Sequence, residues 1–255
     1  MTNAEIRAIA LRQSAWDCGC EPEDFLKPEN VLTLSRKDPR ARKYLPLPFA
    51  CDLVSYGDNV VAQTSPELAE TVESYLNRFP AYRCFETPQI HVLDDLLAPH
   101  GLKVCFMAEY FLLDVDMVKQ QKCGCELRLL GPEDFRELYL PQWSNALCEA
   151  RKELDVLGVG AYDGEKLVGF AGCSADCEDM YQIGVDVLLA YRRQGIGAAV
   201  TSTLALEVLK RGKVPFYCAA WSNLRSVGNA IRCGFRPAWV ELTARESAFV
   251  DRMNT

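Results

Sequence analysis

The spacing of hydrophobic positions divides the chain of 255 residues into two regions, each rich in apolar segments. The polar, glycine-containing stretch Lys119–Cys125 lies between them and is typical of a connection between domains. The pattern therefore predicts a smaller α/β domain over residues 1–120 and a second domain over residues 125–255.

The first region combines two helical patterns with several strand-like runs. One helix is predicted to begin near Ser65 and another near Thr87, each with a proline in its first turn. His91 lies in an apolar helical context and is interpreted as a packed side chain. Strands are predicted at residues 51–56, 59–63 and 102–113. No catalytic signature is found in this region.

The second region has a clearer order of elements. Asp163-Gly164 is a strong hairpin turn signal between two apolar runs. An irregular helical region is predicted to begin at Pro132. Further along the chain, a helix with apolar residues four apart is predicted from Gly195, and another helix from Asn223. Strands are predicted at residues 125–130, 156–162, 166–173, 180–189, 215–220 and 236–242. The order β-α-β-β-β-α-β-α-β predicts an α/β fold, a mixed sheet with helices on both faces.

Composition narrows the class of partner. The formal net charge of -7 argues against nucleic acid or an anionic membrane surface as a partner and favours small cationic substrates. No apolar run reaches membrane-spanning length and the N-terminus lacks the layout of a signal peptide, so a cytoplasmic protein is expected.

The cysteines and histidines argue against a metal centre. The 12 cysteines are expected to be free thiols, since the chain is large and shows no secretion signal. The pairs Cys18/Cys20 and Cys123/Cys125 lack the two-residue spacer of structural zinc sites. With only two histidines, a His-rich site is excluded, and no metal is expected.

The segment Arg192–Ala198 carries the strongest chemical signal, because it follows a predicted strand and opens a helix. Gly195 and Gly197 let the backbone approach a ligand closely, and the helix N-terminus adds free N–H groups. Arg192 and Arg193 add charges suited to a diphosphate. The letters fit neither a Walker loop nor a dinucleotide fingerprint. A pyrophosphate-binding loop is predicted, and a surface loop with solvated arginines is the alternative.

In these residues the chain resembles the GCN5-related N-acetyltransferase (GNAT) family. That family is marked by [Q/R]xxGx[G/A] between its fourth strand and third helix, matched here by Arg192, Gly195 and Gly197. Its second signature, an Asn after the fifth strand and a later Gly-Phe pair, is matched by Asn223 and Gly234-Phe235. The resemblance covers about residues 125–245.

The resemblance implies a GNAT fold that binds acetyl-coenzyme A (acetyl-CoA) as co-substrate and passes the acetyl group to an amine by direct attack, without a metal. The strand edge near Val187 and Leu189 would pair with the pantetheine arm, which Asn223 would also touch. The predicted cofactor-binding residues are Val187, Leu189, Arg192, Arg193, Gln194, Gly195, Ile196, Gly197, Ala198 and Asn223.

The catalytic residues depart from the family pattern. Many members have a tyrosine, the thiol proton donor, where this chain has Ala230, and the candidate substitutes are Tyr217, Ser222 and Ser226. Some members have a glutamate where this chain has Tyr181.

Three acidic residues are considered for the amine. Asp186 is a candidate base or substrate anchor, and the alternative is a hydrogen-bonding role in the structure. Glu149 and Glu153 could recruit a cation or be solvated helix charges. The predicted catalytic set is Asp186, Tyr217 and Ser226.

The leading functional hypothesis is an acetyl-CoA-dependent N-acetyltransferase for the primary amine of a small molecule. The alternatives are a non-catalytic module that binds or senses acyl-CoA, and an acetyltransferase for protein or peptide amines. A homodimer is one assembly that the sequence leaves open. Residues 1–120, with helices between strands, could be a degenerate copy of the same fold.

Overall fold

The computed structural model describes residues 1–255 and divides them into two compact units. Unit 1 consists of residues 1–9 and 111–237, and unit 2 consists of residues 10–110 and 238–255. This division differs from the predicted domains 1–120 and 125–255. Three segments account for the difference: residues 1–9 and 111–120 belong to unit 1, and residues 238–255 belong to unit 2, where residues 240–243 pair with residues 52–55.

The helices and strands follow one another along the whole chain. The helices are α1 (Asn3–Cys18), α2 (Ala69–Arg78), α3 (Thr87–Leu97), α4 (Ile196–Lys210), α5 (Leu224–Arg232) and α6 (Ser247–Met253). The strands are β1 (Val31–Leu34), β2 (Cys51–Ser55), β3 (Val61–Thr64), β4 (Leu102–Leu113), β5 (Glu126–Leu130), β6 (Asp155–Asp163), β7 (Lys166–Ser174), β8 (Met180–Val187), β9 (Val214–Ala219) and β10 (Phe235–Glu246).

Unit 2 is built on a mixed sheet whose strand order is β1-β3-β2-β10-β4. Helices α2 and α3 bury their apolar stripes in its core, which includes Leu53, Tyr75, Leu93 and Leu97. The predicted helices and the three predicted strands are present, whereas β1 and α6 were not predicted. The prediction for His91 was wrong, because its side chain is exposed on α3.

A buried ionic network also lies inside unit 2. The Arg42 guanidinium donates to Asp17 at 2.5 Å and to Glu241 at 2.8 Å, and all three side chains are almost fully buried. Nearby, Asp52 accepts hydrogen bonds from Gln63 and Thr243. Burial and the neighbouring Glu241 raise the pKa of Asp52 well above its ordinary value.

Unit 1 contains a mixed sheet in which β5, β6, β7 and β8 are antiparallel neighbours and β9 is parallel to β8. Helix α4 packs on β6, β7 and β8, while short 3₁₀ segments at residues 132–154 place Phe135, Trp143 and Leu147 against Phe170. The predicted mixed α/β fold is confirmed. The region after Pro132, predicted as irregular helix, consists of separate 3₁₀ turns.

No helix in the structure combines the length and the apolar character needed to cross a membrane.

Candidate active site

Strands β8 and β9 stop pairing before either strand ends. Their registered pairs run from Met180 and Val214 to Ile183 and Tyr217. Strand β8 continues to Val187, still paired with β7, but without a partner on β9. Backbone N–H and C=O groups on such an edge are available to an extended ligand. Beyond it, the predicted contact residue Leu189 is 79% exposed.

The glycine loop follows directly and enters helix α4 through left-handed backbone. Gly195, at φ 78°, precedes the first helical residue, and Arg193, at φ 66°, is the one non-glycine residue with positive φ. Strained residues of this kind concentrate at functional sites. The first helical bond runs from the Ala199 N–H to the Gly195 carbonyl, so the N–H groups of Ile196, Gly197 and Ala198 have no helical acceptor.

Close packing requires small residues around the start of α4. A Cβ atom at Gly169 on β7 would overlap the side chain of Ile196, which is buried. A Cβ atom at Gly197 would lie 3.4 Å from the Asn229 amide oxygen on α5. The helix start is therefore held between the sheet and α5 with little freedom to move. Gly169 was not predicted, because its contact is with a residue 27 positions away.

The two loop arginines are exposed and form no ion pair with the protein. The Nε atom of Arg192 donates to the Val187 carbonyl at 3.0 Å, which holds the side chain at the end of β8. The Gln194 amide donates to the Ala190 carbonyl at 3.4 Å. Two unpaired cations beside free helix N–H groups form a site with the donors and charge that phosphate groups require.

The structure brings two of the predicted catalytic residues together. The hydroxyls of Tyr217 on β9 and Ser226 on α5 are 2.8 Å apart, and Tyr217 is only 3% exposed. Burial raises the pKa of Tyr217, so its hydroxyl holds its proton at neutral pH. Ala230, where family members carry tyrosine, is completely buried, and Ser222 is exposed.

Asn223 caps helix α5. Its side-chain oxygen accepts from the Ser226 backbone N–H at 3.3 Å, which satisfies one of the free donors at the helix start. The cap fixes Ser226 in the first turn of the helix, opposite Tyr217. The predicted contact of Asn223 with pantetheine stays a prediction.

The third predicted catalytic residue, Asp186, is bound to a neighbouring segment. Its carboxylate accepts from the backbone N–H groups of Asn145 and Ala146 at 2.9 and 3.1 Å and from the Asn145 side chain at 2.6 Å. Cβ atoms at Gly184 and Gly172 would overlap the carbonyl oxygens of Asn145 and Ala146. Residues 145–146 therefore lie directly on β7 and β8, where the pairing with β9 ends.

A second acidic group, which sequence reasoning missed, lies on the same side of the sheet. Asp155 at the start of β6 accepts from the Cys148 N–H at 2.9 Å and from the Tyr139 hydroxyl at 3.2 Å. Burial raises the pKa of Asp155 to about 6.

A further buried acid, Asp176, accepts a hydrogen bond from Ser174 at 2.5 Å and forms an ion pair with Arg151 at 3.5 Å. No local sequence pattern identifies the partners of Asp155 or Asp176.

The remaining candidates give no further site. Glu149 and Glu153 are exposed. All twelve cysteines are free, and no group of three or more His, Cys, Asp or Glu side chains is placed to hold a metal ion.

The unpaired edge of β8, the glycine loop and the start of α4 are the features that define a class, the acyl-CoA-dependent N-acyltransferases. A family model described as GNAT acetyltransferase matches residues 60–238, well over half of the chain. The chain therefore belongs to the GNAT acetyltransferase family. This assignment confirms the resemblance found in the second region. The family match also begins upstream of the predicted domain boundary, at residue 60.

Solved structures similar to this chain include several GNAT proteins. A putative acetyltransferase from Novosphingobium aromaticivorans is 18% identical, with a TM-score of 0.46 over 56% of this chain and 66% of that one. A GNAT protein from Kribbella flavida is 17% identical, with a TM-score of 0.47 over 62% of this chain and 66% of that one. This chain thus spans slightly less than two thirds of each. No curated protein sequence matches the chain significantly.

Proposed function

We propose that this protein binds acetyl-CoA and transfers its acetyl group to the primary amine of a small molecule. The observation that carries the proposal is the loop at Arg193 and Gly195, which leaves three helix N–H groups without a helical acceptor and two arginines without an acidic partner beside the free edge of β8. The diphosphate would lie on this loop and the pantetheine arm along β8. Acetyl-CoA would supply the thioester, and the residues would bind and orient it.

The acyl transfer is a direct displacement. The amine nitrogen attacks the thioester carbonyl carbon, an N–C bond forms and the C–S bond breaks, and the departing thiolate takes up a proton. The attacking nitrogen loses one proton, so charge and atoms balance. The residues must therefore hold the amine, orient the carbonyl and supply a proton to sulfur.

The hydrogen-bonded pair of Tyr217 and Ser226 supports the role of proton donor. Tyr217 occupies the last registered position of β9, where the two strands stop pairing, and keeps its proton at neutral pH. Its hydroxyl would donate to the thiolate, directly or through Ser226, in place of the tyrosine that Ala230 replaces.

Residues 145–146, which pack on β8, support a binding position for the acceptor amine. Because a carboxylate cannot donate, the bond to Asp186 requires the Asn145 side chain to present its NH₂ there and leaves its amide oxygen as a free acceptor. Asn145 is exposed and its backbone lies on Gly184, next to the last pair of β8 and β9. Its amide oxygen would accept a hydrogen bond from the amine, with Asp186 as a positioning residue.

The experiment measures thermal unfolding with and without acetyl-CoA for the wild type and for Arg192→Glu combined with Gly195→Asp. Ligand at about 100 times its dissociation constant adds roughly 2.7 kcal/mol of stability, which raises the Tm by several degrees. The rise is expected for the wild type and not for the double variant. A folded wild type whose Tm does not respond would refute the proposal.

A non-catalytic acyl-CoA-binding module is the second candidate, favoured by the replacement of the usual tyrosine with a buried Ala230. Release of free CoA thiol from acetyl-CoA, measured with a panel of small amines, separates the two. Binding without amine-dependent thiol release would support the module.

A further inference from the structure

Residues 117–125, which include the predicted domain connection Lys119–Cys125, form a stretch that packs along helices α5 and α4. At Gly234, after α5, an added Cβ atom would lie 2.7 Å from the Val118 backbone. The Gln120 amide donates to Thr203 at 3.3 Å, and the Gln121 N–H donates to Ser202 at 2.9 Å. These contacts place the stretch against the middle of α4.

The same stretch then reaches the phosphate-binding loop. A Cβ atom at Gly195 would lie 3.4 Å from the Lys122 carbonyl oxygen, and no other residue outside the immediate chain neighbours comes within 4 Å of that position. Ser202 is six residues beyond Ile196, which at 1.5 Å per residue is about 9 Å along α4. The stretch therefore runs beside α4 towards the N-terminus of that helix, and Lys122 is the residue of the stretch that contacts the loop.

Lys122 is one of the cations of unit 1 that have no acidic partner. Its side chain is exposed and forms no ion pair or hydrogen bond. Lys152, Lys210 and Lys213, in contrast, are each paired with an acidic side chain. An ammonium group offers three donors and a compact charge, which suits phosphate oxygens.

We propose that Lys122 is a further phosphate-binding residue of the coenzyme A site, so that the connecting stretch completes this site. Together with Arg192 and Arg193 it brings to three the cations without an acidic partner near the start of α4, in a protein whose net charge is -7. CoA carries a diphosphate and a separate 3′-phosphate. The Lys122 ammonium group could bind either of them. The inference rests on the proposed function.

The test is a calorimetric titration of the wild type and of Lys122→Met with three probes: CoA, dephospho-CoA, which lacks the 3′-phosphate, and pantetheine, which lacks all phosphates. We expect Lys122→Met to weaken CoA binding about tenfold, the size typical of a charge-assisted hydrogen bond. Pantetheine binding should not change. An equal loss with dephospho-CoA assigns Lys122 to the diphosphate, and a loss confined to CoA assigns it to the 3′-phosphate.

Lys119→Met is the matched control, because Lys119 lies in the same stretch and is also exposed, but precedes the contacts with Thr203 and Ser202. It should bind CoA like the wild type, and Lys122→Arg should retain most of the affinity. Equal CoA affinity in Lys122→Met and the wild type would overturn the inference while leaving the proposed function intact. Failure of the wild type to bind CoA would refute both the inference and the proposed function.

Discussion

Arginine has opposite roles in the two units. In unit 2, Arg42 is buried between two carboxylates and also donates to the Tyr44 hydroxyl at 2.6 Å. In unit 1, Arg192 and Arg193 are exposed and have no acidic partner. The buried arginine has its charge neutralised by the protein, whereas the loop arginines keep their charge available. This difference separates groups that stabilise the fold from groups that are free to bind a ligand.

The same distinction applies to the aspartates. Asp52 and Asp155 have raised pKa values because they are buried, and both accept hydrogen bonds from the protein. Burial of a charged group is costly unless other groups compensate it. A variant that removes a buried partner should therefore affect stability first, and one that removes an exposed cation should affect binding first.

The largest expected effect is that of Arg42→Met. It leaves the carboxylates of Asp17 and Glu241 buried without their cation, and breaking such a network lowers the free energy of unfolding by about 3–5 kcal/mol. Urea unfolding at pH 7 measures the change. Arg83→Met, which removes an exposed pair with Glu86, is the control and should cost less than about 1 kcal/mol. Equal losses in both variants would contradict the comparison.

The next largest effect is the pH dependence of stability that Asp155 causes. Its pKa rises from 3.8 to about 6 on folding, so the folded protein binds this proton more tightly than the unfolded chain. The stability that results is fully present below the unfolded value and is lost as the pH rises through the folded value. Two pKa units correspond to about 3 kcal/mol.

Asp155→Asn should therefore become more stable relative to the wild type by roughly 2–3 kcal/mol between about pH 4 and pH 7. The asparagine oxygen can still accept from Cys148 and Tyr139, so the contacts are retained. Urea unfolding at both pH values measures the difference. A constant difference between the two proteins would show that burial does not hold the proton on Asp155.

A smaller effect is expected for Gly184→Ala, because its Cβ atom would overlap the Asn145 carbonyl. The overlap should cost about 1–3 kcal/mol and displace Asn145, so that amine-dependent turnover falls. The control Gly228→Ala lies in α5 with open space around it and should instead stabilise by about 0.5–1 kcal/mol. Equal stability of the two variants would contradict the close packing of residues 145–146 on β8.

The smallest effect on stability is expected for Tyr217→Phe, which loses the bond to Ser226, worth about 1 kcal/mol. Thiol release should fall at least tenfold if the hydroxyl donates the proton to sulfur, while CoA affinity stays the same. Ser226→Ala separates a direct donor from a relay. Full activity of Tyr217→Phe would remove this pair from the mechanism.

Several local features of unit 1 were predictable from sequence. The turn at Gly164 and the helix that begins after Gly195 are both present, and both glycines have a positive φ. These features depend on a few adjacent residues, since φ preference, capping and apolar spacing are local properties. The phosphate-binding role of the loop stays a prediction that rests on the same local properties.

The acidic groups and the division into units were not predictable in this way. Asp186 was a candidate base from its place on a strand, but its three bonds to residues 145–146 depend on contacts some 40 positions away. Likewise, β10 ends in unit 2 through pairing with β2, which lies almost 190 residues earlier. Neither partner is marked by a local pattern.

The sequence alone determined the order of the strands β5 to β9 and of helices α4 and α5, and the family resemblance, and it also predicts a phosphate-binding loop, because short-range geometry and residue chemistry are sufficient for these. Only the tertiary structure decided that β8 and β9 stop pairing after Ile183 and Tyr217, that Tyr217 meets Ser226, and that Lys122 reaches Gly195. These features arise when distant segments bury apolar surface together, and which polar groups then become partners depends on the packing of the whole unit.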